Sequence, residues 1–404
     1  MLQKLKNYYH LVRAIVALFY FNFPAKKLRV IGVTGTDGKT TTVHMIANVL
    51  ESADGKVGYI SSIGVYIGGR KADTGFHVTT PDPWQIQKFL KKMVDSGAKY
   101  AILEVTSHGL DQNRVFGCNF SIGVLTNISH EHLDYHKTLK NYLMAKAKLF
   151  KKTKVNILNI DDPAFGEIKK VANGEIITYG ILKEADYNLK KFPLKLKIFG
   201  EYNLYNALAA VSVASILEID REVILKSLAD FRGLAGRMEL INQGQDFKVV
   251  VDFAHTPNAL KQALKTLKSK IKNQKSKMIT VFGSAGLRDV GKRQLMGEIS
   301  GRLSDYTVIT DEDPRTEDPR KIARTIAKGC EKTGGKEGET FFIVNDRQKA
   351  IRFALQKLAK KGDVVGIFGK GHERSMCLGK AEKPWSDQEE AKKALRKIRS
   401  SKNG

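Results

Sequence analysis

The stretch Leu28-Arg29-Val30-Ile31-Gly32-Val33-Thr34-Gly35-Thr36-Asp37-Gly38-Lys39-Thr40-Thr41 decides the fold. Leu28 to Val33 is an apolar, β-branched run that reads as a buried strand. Gly35, Thr36, Asp37, Gly38, Lys39, Thr40 and Thr41 then form a glycine-containing loop, and Thr41 to Ser52 reads as a helix. Strand, loop and helix in that order is the setting in which a phosphate-binding loop has meaning: backbone N–H groups and a helix N-terminus face the anion. Lys39 can counter the charge of terminal phosphates, and the hydroxyl of Thr40 can bind a magnesium ion. Val33 stands where the general form of this loop has its first glycine, so the loop is a variant.

Outward from the loop, short apolar runs recur at Tyr100–Val105, Ile122–Asn127 and Val155–Ile160, separated by helical patterns. A second alternating series has strand candidates at Val249–Phe253, Met278–Phe282, Tyr306–Thr310, Thr340–Val344 and Val364–Phe368. Such alternation predicts an α/β protein: a central P-loop ATPase-like domain with a mostly parallel sheet, then a C-terminal Rossmann-like α/β domain. Asp230–Gly236 is rich in glycine and lacks periodicity, which makes it the best boundary. The expected division is 1–28 for an N-terminal helix, 29–233 for the ATP-binding domain and 234–404 for the C-terminal domain.

With 404 residues and 42% hydrophobic content the chain is long and apolar enough for two cores. Its formal charge of +26 fits nucleic acid, an anionic membrane surface or polyanionic small substrates. The basic residues are spread over lysine-rich segments such as Lys190–Lys197 and Lys265–Lys277, without zinc-finger spacing or an aromatic RNA-binding signature, so no nucleic-acid partner is expected. Cys118, Cys330 and Cys377 are scattered and odd in number, which argues against a disulfide framework and for a reducing cytoplasm.

Leu11–Phe23 is apolar apart from Arg13 and Asn22, with Lys4, Lys6, Lys26, Lys27 and Arg29 around it. It is too short to span a bilayer, which needs about 20 apolar residues. Two readings stay open: a helix packed on the body of the protein, or an interfacial helix that puts residues 4–29 in peripheral contact with the inner face of a membrane.

Beyond the loop, Glu104-Val105-Thr106-Ser107-His108-Gly109 follows a strand end, where α/β sheets place their sites, and Glu104 is a candidate magnesium ligand. Thr126-Asn127-Ile128-Ser129-His130-Glu131-His132-Leu133-Asp134-Tyr135-His136 crowds ligand-type side chains after another strand. Three histidines suggest zinc, but the spacing is not that of a zinc helix, and a phosphate loop beside Glu104 argues for magnesium.

These motifs resemble the Mur ligase family, in the branch that makes the muramoyl-tripeptide of peptidoglycan. The resemblance runs over about 30 to 390 and includes Thr79-Thr80-Pro81, Glu104–Val115, Thr126–His136, Tyr142–Lys146, Gly200–Asn206, Gly236–Glu239, Asp252–Pro257, Gly283–Arg293, Asp311–Arg315 and Gly369–Glu373. It implies an ATP-dependent, ADP-forming ligase. A diamino acid is added through an acyl phosphate to the D-glutamate of UDP-N-acetylmuramoyl-L-alanyl-D-glutamate.

By the resemblance, Lys39, Lys146, His132 and Glu104 are catalytic. Thr40, Glu104, His132 and a carbamylated Lys146 surround Mg²⁺. Gly35 to Thr41, Asn127, Asn203, Asn206, Arg237 and Asp252 take ATP. Thr79, Thr80, Thr106, Gln112 and Arg114 take the muramoyl-dipeptide, with Thr106 in place of the usual serine. Asp313, Arg315, Gly369 and Glu373 take the amino acid. Arg315 favours meso-diaminopimelate over L-lysine, because a guanidinium fork suits a distal carboxylate that lysine lacks. Glu312-Asp313 departs from the usual Asp-Asn of that motif.

The family's uridine-diphosphate domain, sized like an ordinary small domain of roughly a hundred residues, has no counterpart in the short lead-in before Gly35. A related ligase acting on a lipid-linked acceptor is therefore an alternative, although its four-cysteine zinc insertion is not matched. A basic nucleotide-binding module or nucleic-acid ATPase is the competing class. The expected enzyme is a cytoplasmic monomer acting on small-molecule substrates.

Overall fold

The computed structural model describes residues 2–72, 79–271, 273 and 275–402, so the lysine-rich segment 265–277 is described without residues 272 and 274. Its residues group into two compact units, Met1–Ser129 with His136–Arg232, and His130–Tyr135 with Gly233–Gly404.

The first unit is built on β1 (Arg29–Thr34), β2 (Val57–Ser61), β3 (Gly64–Ile67), β4 (Arg70–Ala72), β5 (Tyr100–Glu104), β6 (Phe120–Leu125), β7 (Val155–Asn159) and β8 (Glu175–Tyr179). They form one eight-stranded sheet in the order β4-β3-β2-β5-β1-β6-β7-β8. β1 pairs in parallel with β5 and β6, and only the β2-β3-β4 edge is antiparallel. Five of the six residues of β1 are buried, as expected of a strand covered on both faces. Because β1 lies between β5 and β6, the loops that follow these three strands open at one end of the sheet, the usual place for a site in such folds.

The helix after β1 spans Lys39–Ser52, two residues earlier than the sequence pattern predicts. Gly38, at φ 83°, turns the chain into it and leaves the first N–H groups free to face the loop. β6 ends at Leu125 rather than Asn127, because Thr126 and Asn127 turn their side chains onto the phosphate loop.

The N-terminal helix covers Leu2–Tyr20 and not Leu11–Phe23. Phe23 at φ 50° and Pro24 stop it, and the polar turn before Leu11 is helical as well. Ala14, Ala17 and Leu18 are its buried face, with Leu18 against Gly117. Tyr20 and Phe21 pack on Trp84 of the helix Pro83–Asp95.

The second unit holds β9 (Glu239–Ile241), β10 (Lys248–Asp252), β11 (Met278–Phe282), β12 (Tyr306–Ile309), β13 (Phe341–Ile343) and β14 (Val364–Phe368). They form a six-stranded sheet in the order β13-β12-β11-β14-β10-β9, parallel except for the edge strand β9. Val249, Val251, Ile279, Val281, Val308, Val365 and Ile367 form its dry centre. Asp387 clamps this unit with a bidentate pair to the fully buried guanidinium of Arg347, at 2.7 and 2.8 Å. The whole is an α/β protein with two mostly parallel sheets, as the alternation of apolar runs predicts.

Candidate active site

In the first unit the phosphate loop is held from several sides. Gly35 has φ 151°, and a Cβ there would stand 1.9 Å from Thr126 Oγ1. A Cβ on Gly38 would meet Asn206 Oδ1 at 2.3 Å, so both glycines are needed for close approach. Asn127 exchanges bonds with Asp37: its Oδ1 accepts from the Asp37 N–H and its Nδ2 donates to the Asp37 carbonyl, each at 3.0 Å. Asn206 donates to Asn203 Oδ1 at 3.0 Å, and Asn203 is anchored on the Phe199 carbonyl. The Lys39 ammonium lies back across the loop, 2.7 Å from the Thr36 carbonyl. Lys146 is 1% exposed and donates to the Gly35 carbonyl at 2.6 Å.

Thr40 Oγ1 donates to Glu104 Oε2 at 2.9 Å and lies 2.8 Å from Ser62 Oγ. The Ser62 N–H donates to the same carboxylate oxygen at 2.9 Å. Thr40, Glu104 and Ser62 are thus a compact cluster of hard oxygen donors at the ends of β5 and β2. Ser62 was not among the residues the sequence pointed to; it lies in a plain turn with no signature of its own. Among the described residues no group of three or more His, Cys, Asp or Glu side chains could hold a metal. The donor set instead suits Mg²⁺, which is bound by one or two carboxylates and hydroxyls while keeping several waters. The residues present fit that ion.

Four of the residues expected to take the acceptor form one network beside Glu104. Thr80 Oγ1 donates to the Glu104 carbonyl at 3.1 Å and accepts from the Thr106 N–H at 2.9 Å and the Thr106 hydroxyl at 3.0 Å. Arg114 donates to the Thr80 carbonyl at 3.0 Å and through Nε and Nη2 to Gln112 Oε1 at 2.9 and 2.6 Å. Thr79 is half-buried next to them. Ser107, which follows Thr106, is held by the buried His136, with Nε2 and Oγ 3.0 Å apart. Tyr142 connects to the phosphate loop: its hydroxyl is 3.0 Å from Thr36 Oγ1, and its ring lies 4.6 Å from the Lys146 ammonium.

His132 lies in the segment that groups with the second unit. It has φ 57°, and its ring is 3.8 Å from Glu131. In that unit Glu131 is buried and stands 3.7 Å from Lys292, while His130 is 3.5 Å from Asp289. Asp252 accepts from the backbone N–H groups of Met238 and Ala254, each at 2.7 Å, so it shapes the turn that carries Arg237. The Arg237 guanidinium covers the Phe253 ring at 4.6 Å. His255 bonds to the Phe253 carbonyl at 2.9 Å.

The residues expected to take the amino acid also meet. Asp313 Oδ1 accepts from Lys370 Nζ at 2.8 Å and from the Cys377 N–H at 2.9 Å. Lys370 is 2.5 Å from Glu373, so one buried ammonium bridges both carboxylates. Burial opposes its charge, but Glu373 and Asp313 outweigh burial and raise its pKa. Arg315, at φ 53°, donates its N–H to the Cys377 carbonyl at 3.1 Å and its guanidinium to the Gly286 carbonyl at 2.9 Å. Gly369, at φ 108°, leaves room for Glu312, whose Oε2 would lie 2.0 Å from a Cβ. Burial pushes the Glu312 carboxyl up to about 7 against the pull of Lys292, Arg347 and Lys370. Arg288 was missed at the sequence level. Desolvation first, and the neighbouring Arg315 guanidinium second, hold its pKa below the ordinary arginine range. Asp134, Glu131 and Asp313 act on it in the opposite direction.

Residues 33–214 match the Mur ligase middle domain, and residues 236–371 match the Mur ligase, glutamate ligase domain. A UDP-N-acetylmuramoyl-L-alanyl-D-glutamate--2,6-diaminopimelate ligase of Clostridium acetobutylicum is 40% identical over 386 residues, which cover 91% of this chain and 78% of that protein. The ligase of the same name from Alkaliphilus metalliredigens is 40% identical over 391 residues, covering 91% and 77%. A solved structure of a UDP-N-acetylmuramoyl-L-alanyl-D-glutamate--2,6-diaminopimelate ligase superimposes with a TM-score of 0.60 at 33% identity, covering 92% of this chain and 79% of that one. Folylpolyglutamate synthase of Mycobacterium tuberculosis, at 16% identity and a TM-score of 0.71, shares the fold.

A phosphate loop with a lysine, whose threonine stands beside a buried carboxylate on a mostly parallel sheet, defines a nucleotide-dependent α/β enzyme. The chain belongs to the Mur ligase family.

Proposed function

We propose that this chain is an ATP-dependent, ADP-forming ligase that adds meso-diaminopimelate to the D-glutamate of UDP-N-acetylmuramoyl-L-alanyl-D-glutamate in peptidoglycan synthesis. The observation that carries the reading is the cluster of Thr40 Oγ1, Ser62 and Glu104 Oε2 at 2.8–2.9 Å, at the end of the loop that Lys39 and Lys146 contact. The names and identities of the relatives point the same way.

The substrate carboxylate attacks the γ-phosphorus of ATP, giving an acyl phosphate and ADP. The amine then attacks the acyl carbon, giving the amide, phosphate and a proton. Two polyanions have to meet, so the protein must supply cations and oriented donors. Lys39 and the loop N–H groups from Gly35 to Thr41 hold the phosphates. Asn127, Asn203 and Asn206 keep the loop in place, and Arg237 and Asp252 are further nucleotide-binding residues. Thr40, Glu104, His132 and a carbamylated Lys146 would hold Mg²⁺, which would supply charge neutralisation on the transferring phosphoryl group. Thr79, Thr80, Thr106, Gln112 and Arg114 hold the muramoyl-dipeptide. Arg315, joined by Arg288, takes the distal carboxylate of diaminopimelate. Asp313 and Glu373, with Gly369 beside them, take its ammonium.

The enzyme works as a cytoplasmic monomer on small molecules, with residues 4–29 as its membrane-facing part. An amine screen with UDP-N-acetylmuramoyl-L-alanyl-D-glutamate and ATP tests the reading. Diaminopimelate should give product and phosphate together and lysine far less; no product with any amine would reject the assigned acceptor.

A further inference from the structure

The N-terminal helix is apolar on both of its long faces, and only one is covered. Ala14, Ala17 and Leu18 turn inward. On the other side Leu5, Tyr8, Val12, Val16 and Phe19 are 61%, 67%, 42%, 53% and 69% exposed. Their spacing of three or four residues places them on one stripe. Tyr9 and Tyr20 border it and are also exposed. An ordinary surface helix presents its polar side to water, so a stripe of this kind requires an occupant.

The charge around the stripe indicates which. Residues 1–36 contain no Asp or Glu. Lys6, Lys26, Lys27 and Arg29 are all exposed. Arg13 is drawn aside by Asp82 at 3.4 Å, so it is not part of the free charge. No helix among the described residues is long and apolar enough to cross a membrane. Apolar side chains in a row, tyrosines at the border and lysines at the flank match the layers of a bilayer surface: acyl chains, interfacial zone and anionic headgroups.

We propose that the stripe Leu5–Tyr8–Val12–Val16–Phe19 docks the protein on an anionic lipid surface, with Lys6, Lys26, Lys27 and Arg29 engaging the headgroups. The helix lies in the plane of the interface and keeps its packing through Ala14, Ala17 and Leu18. This deepens the peripheral contact proposed above by naming the face and the lipid charge, and it does not depend on which amine the enzyme uses.

The test is co-sedimentation of the full chain with vesicles of phosphatidylcholine alone and of roughly three parts phosphatidylcholine to one of phosphatidylglycerol. The wild type should sediment with the anionic vesicles and not the neutral ones, less so at high salt. Val16→Glu/Phe19→Glu, two exposed positions, should lower the bound fraction about tenfold, while the far-ultraviolet circular dichroism and phosphate release in solution stay unchanged. Lys26→Glu/Lys27→Glu should weaken binding through charge alone. Failure of the wild type to bind anionic vesicles would overturn the proposal, as would binding unaffected by Val16→Glu/Phe19→Glu. A dimer in sedimentation velocity that the same double substitution dissolves, without vesicle binding, would assign the face to a second copy and overturn it equally.

Discussion

Lys146 Nζ lies 2.6 Å from the Gly35 carbonyl oxygen, joining residues 111 positions apart. A lysine that is 1% exposed is unusual unless its charge has a use, because burying an ammonium is expensive. Here the loss of water is met by a backbone carbonyl of the phosphate loop and the face of Tyr142. Lys146→Ala should therefore slow phosphate release by at least about a hundredfold, with partial recovery on adding formate or acetate. Lys39→Ala should abolish turnover without such rescue. A coupled phosphate assay reads both, and full activity of either variant would remove the assigned role.

Tyr142 supports that lysine and ties its own hydroxyl to Thr36, 3.0 Å away. Tyr142→Phe keeps the ring and deletes one buried hydrogen bond, worth about 0.5–1.5 kcal/mol. The apparent KM for ATP should rise roughly two- to twelvefold, with kcat little changed. Tyr142→Leu also removes the ring beneath Lys146, so kcat should fall as well. Equal kinetics for all three proteins would show that the bond to Thr36 does not position the loop.

Gly38→Ala should be destabilising and inactivating together. Its φ of 83° already strains an L-residue, and the new Cβ would meet Asn206 Oδ1 at 2.3 Å. A loss of about 1–3 kcal/mol is expected. Gly244→Ala is a control with φ 85° and no atom within 4 Å of the new Cβ. Urea unfolding should separate the two, the excess loss at Gly38 measuring the clash and not the backbone strain.

Arg315→Lys should lower kcat/KM for diaminopimelate by about ten- to a hundredfold, since a bidentate charged pair becomes a single contact. The value for lysine as substrate should hardly move. Arg288→Ala should act in the same direction if Arg288 joins Arg315 on that carboxylate, as proposed. A uniform loss for both amines would mean that neither arginine reads the distal carboxylate.

Glu312 provides a pH signature. Its carboxyl is raised from the usual 4.5 to about 7, so between these values the folded state holds a proton that the unfolded chain has released. Stability therefore falls as pH rises through that window and levels off above it. The full span is on the order of 3 kcal/mol. Glu312→Gln keeps the shape without the ionisation. It should be more stable than the wild type at pH 8, similar near pH 4.5 and flatter between, which denaturant titrations across that range would read. Parallel curves would exclude Glu312 as the source.

Much of this was open to reading in the linear chain, because it depends on neighbours in sequence. Strand, phosphate loop and helix follow one another within Arg29–Ser52, and β11 and β14 fall on their apolar runs without adjustment. Arg315 and Lys39 stand in local motifs whose chemistry is carried by a few adjacent residues. Where the chain departed from the local pattern, the positive φ of Gly38 set the helix start, and distant Thr126 bonding to Asp37 ended β6.

Periodicity shows that an apolar face exists but not what covers it, so the N-terminal helix could not be assigned from Leu11–Phe23 alone; its two apolar faces differ only in what packs on them. Contacts between strand ends likewise leave no local trace. Ser62 reaches Glu104 across 42 positions, and Tyr142 reaches Thr36 across 106. The sequence by itself determined the phosphate loop, the α/β alternation and the chemical types at the site. Tertiary structure alone decided which of those groups share one oxygen cluster and which helix face meets water, because burial and hydrogen-bond geometry are set by the order of strands in the sheet.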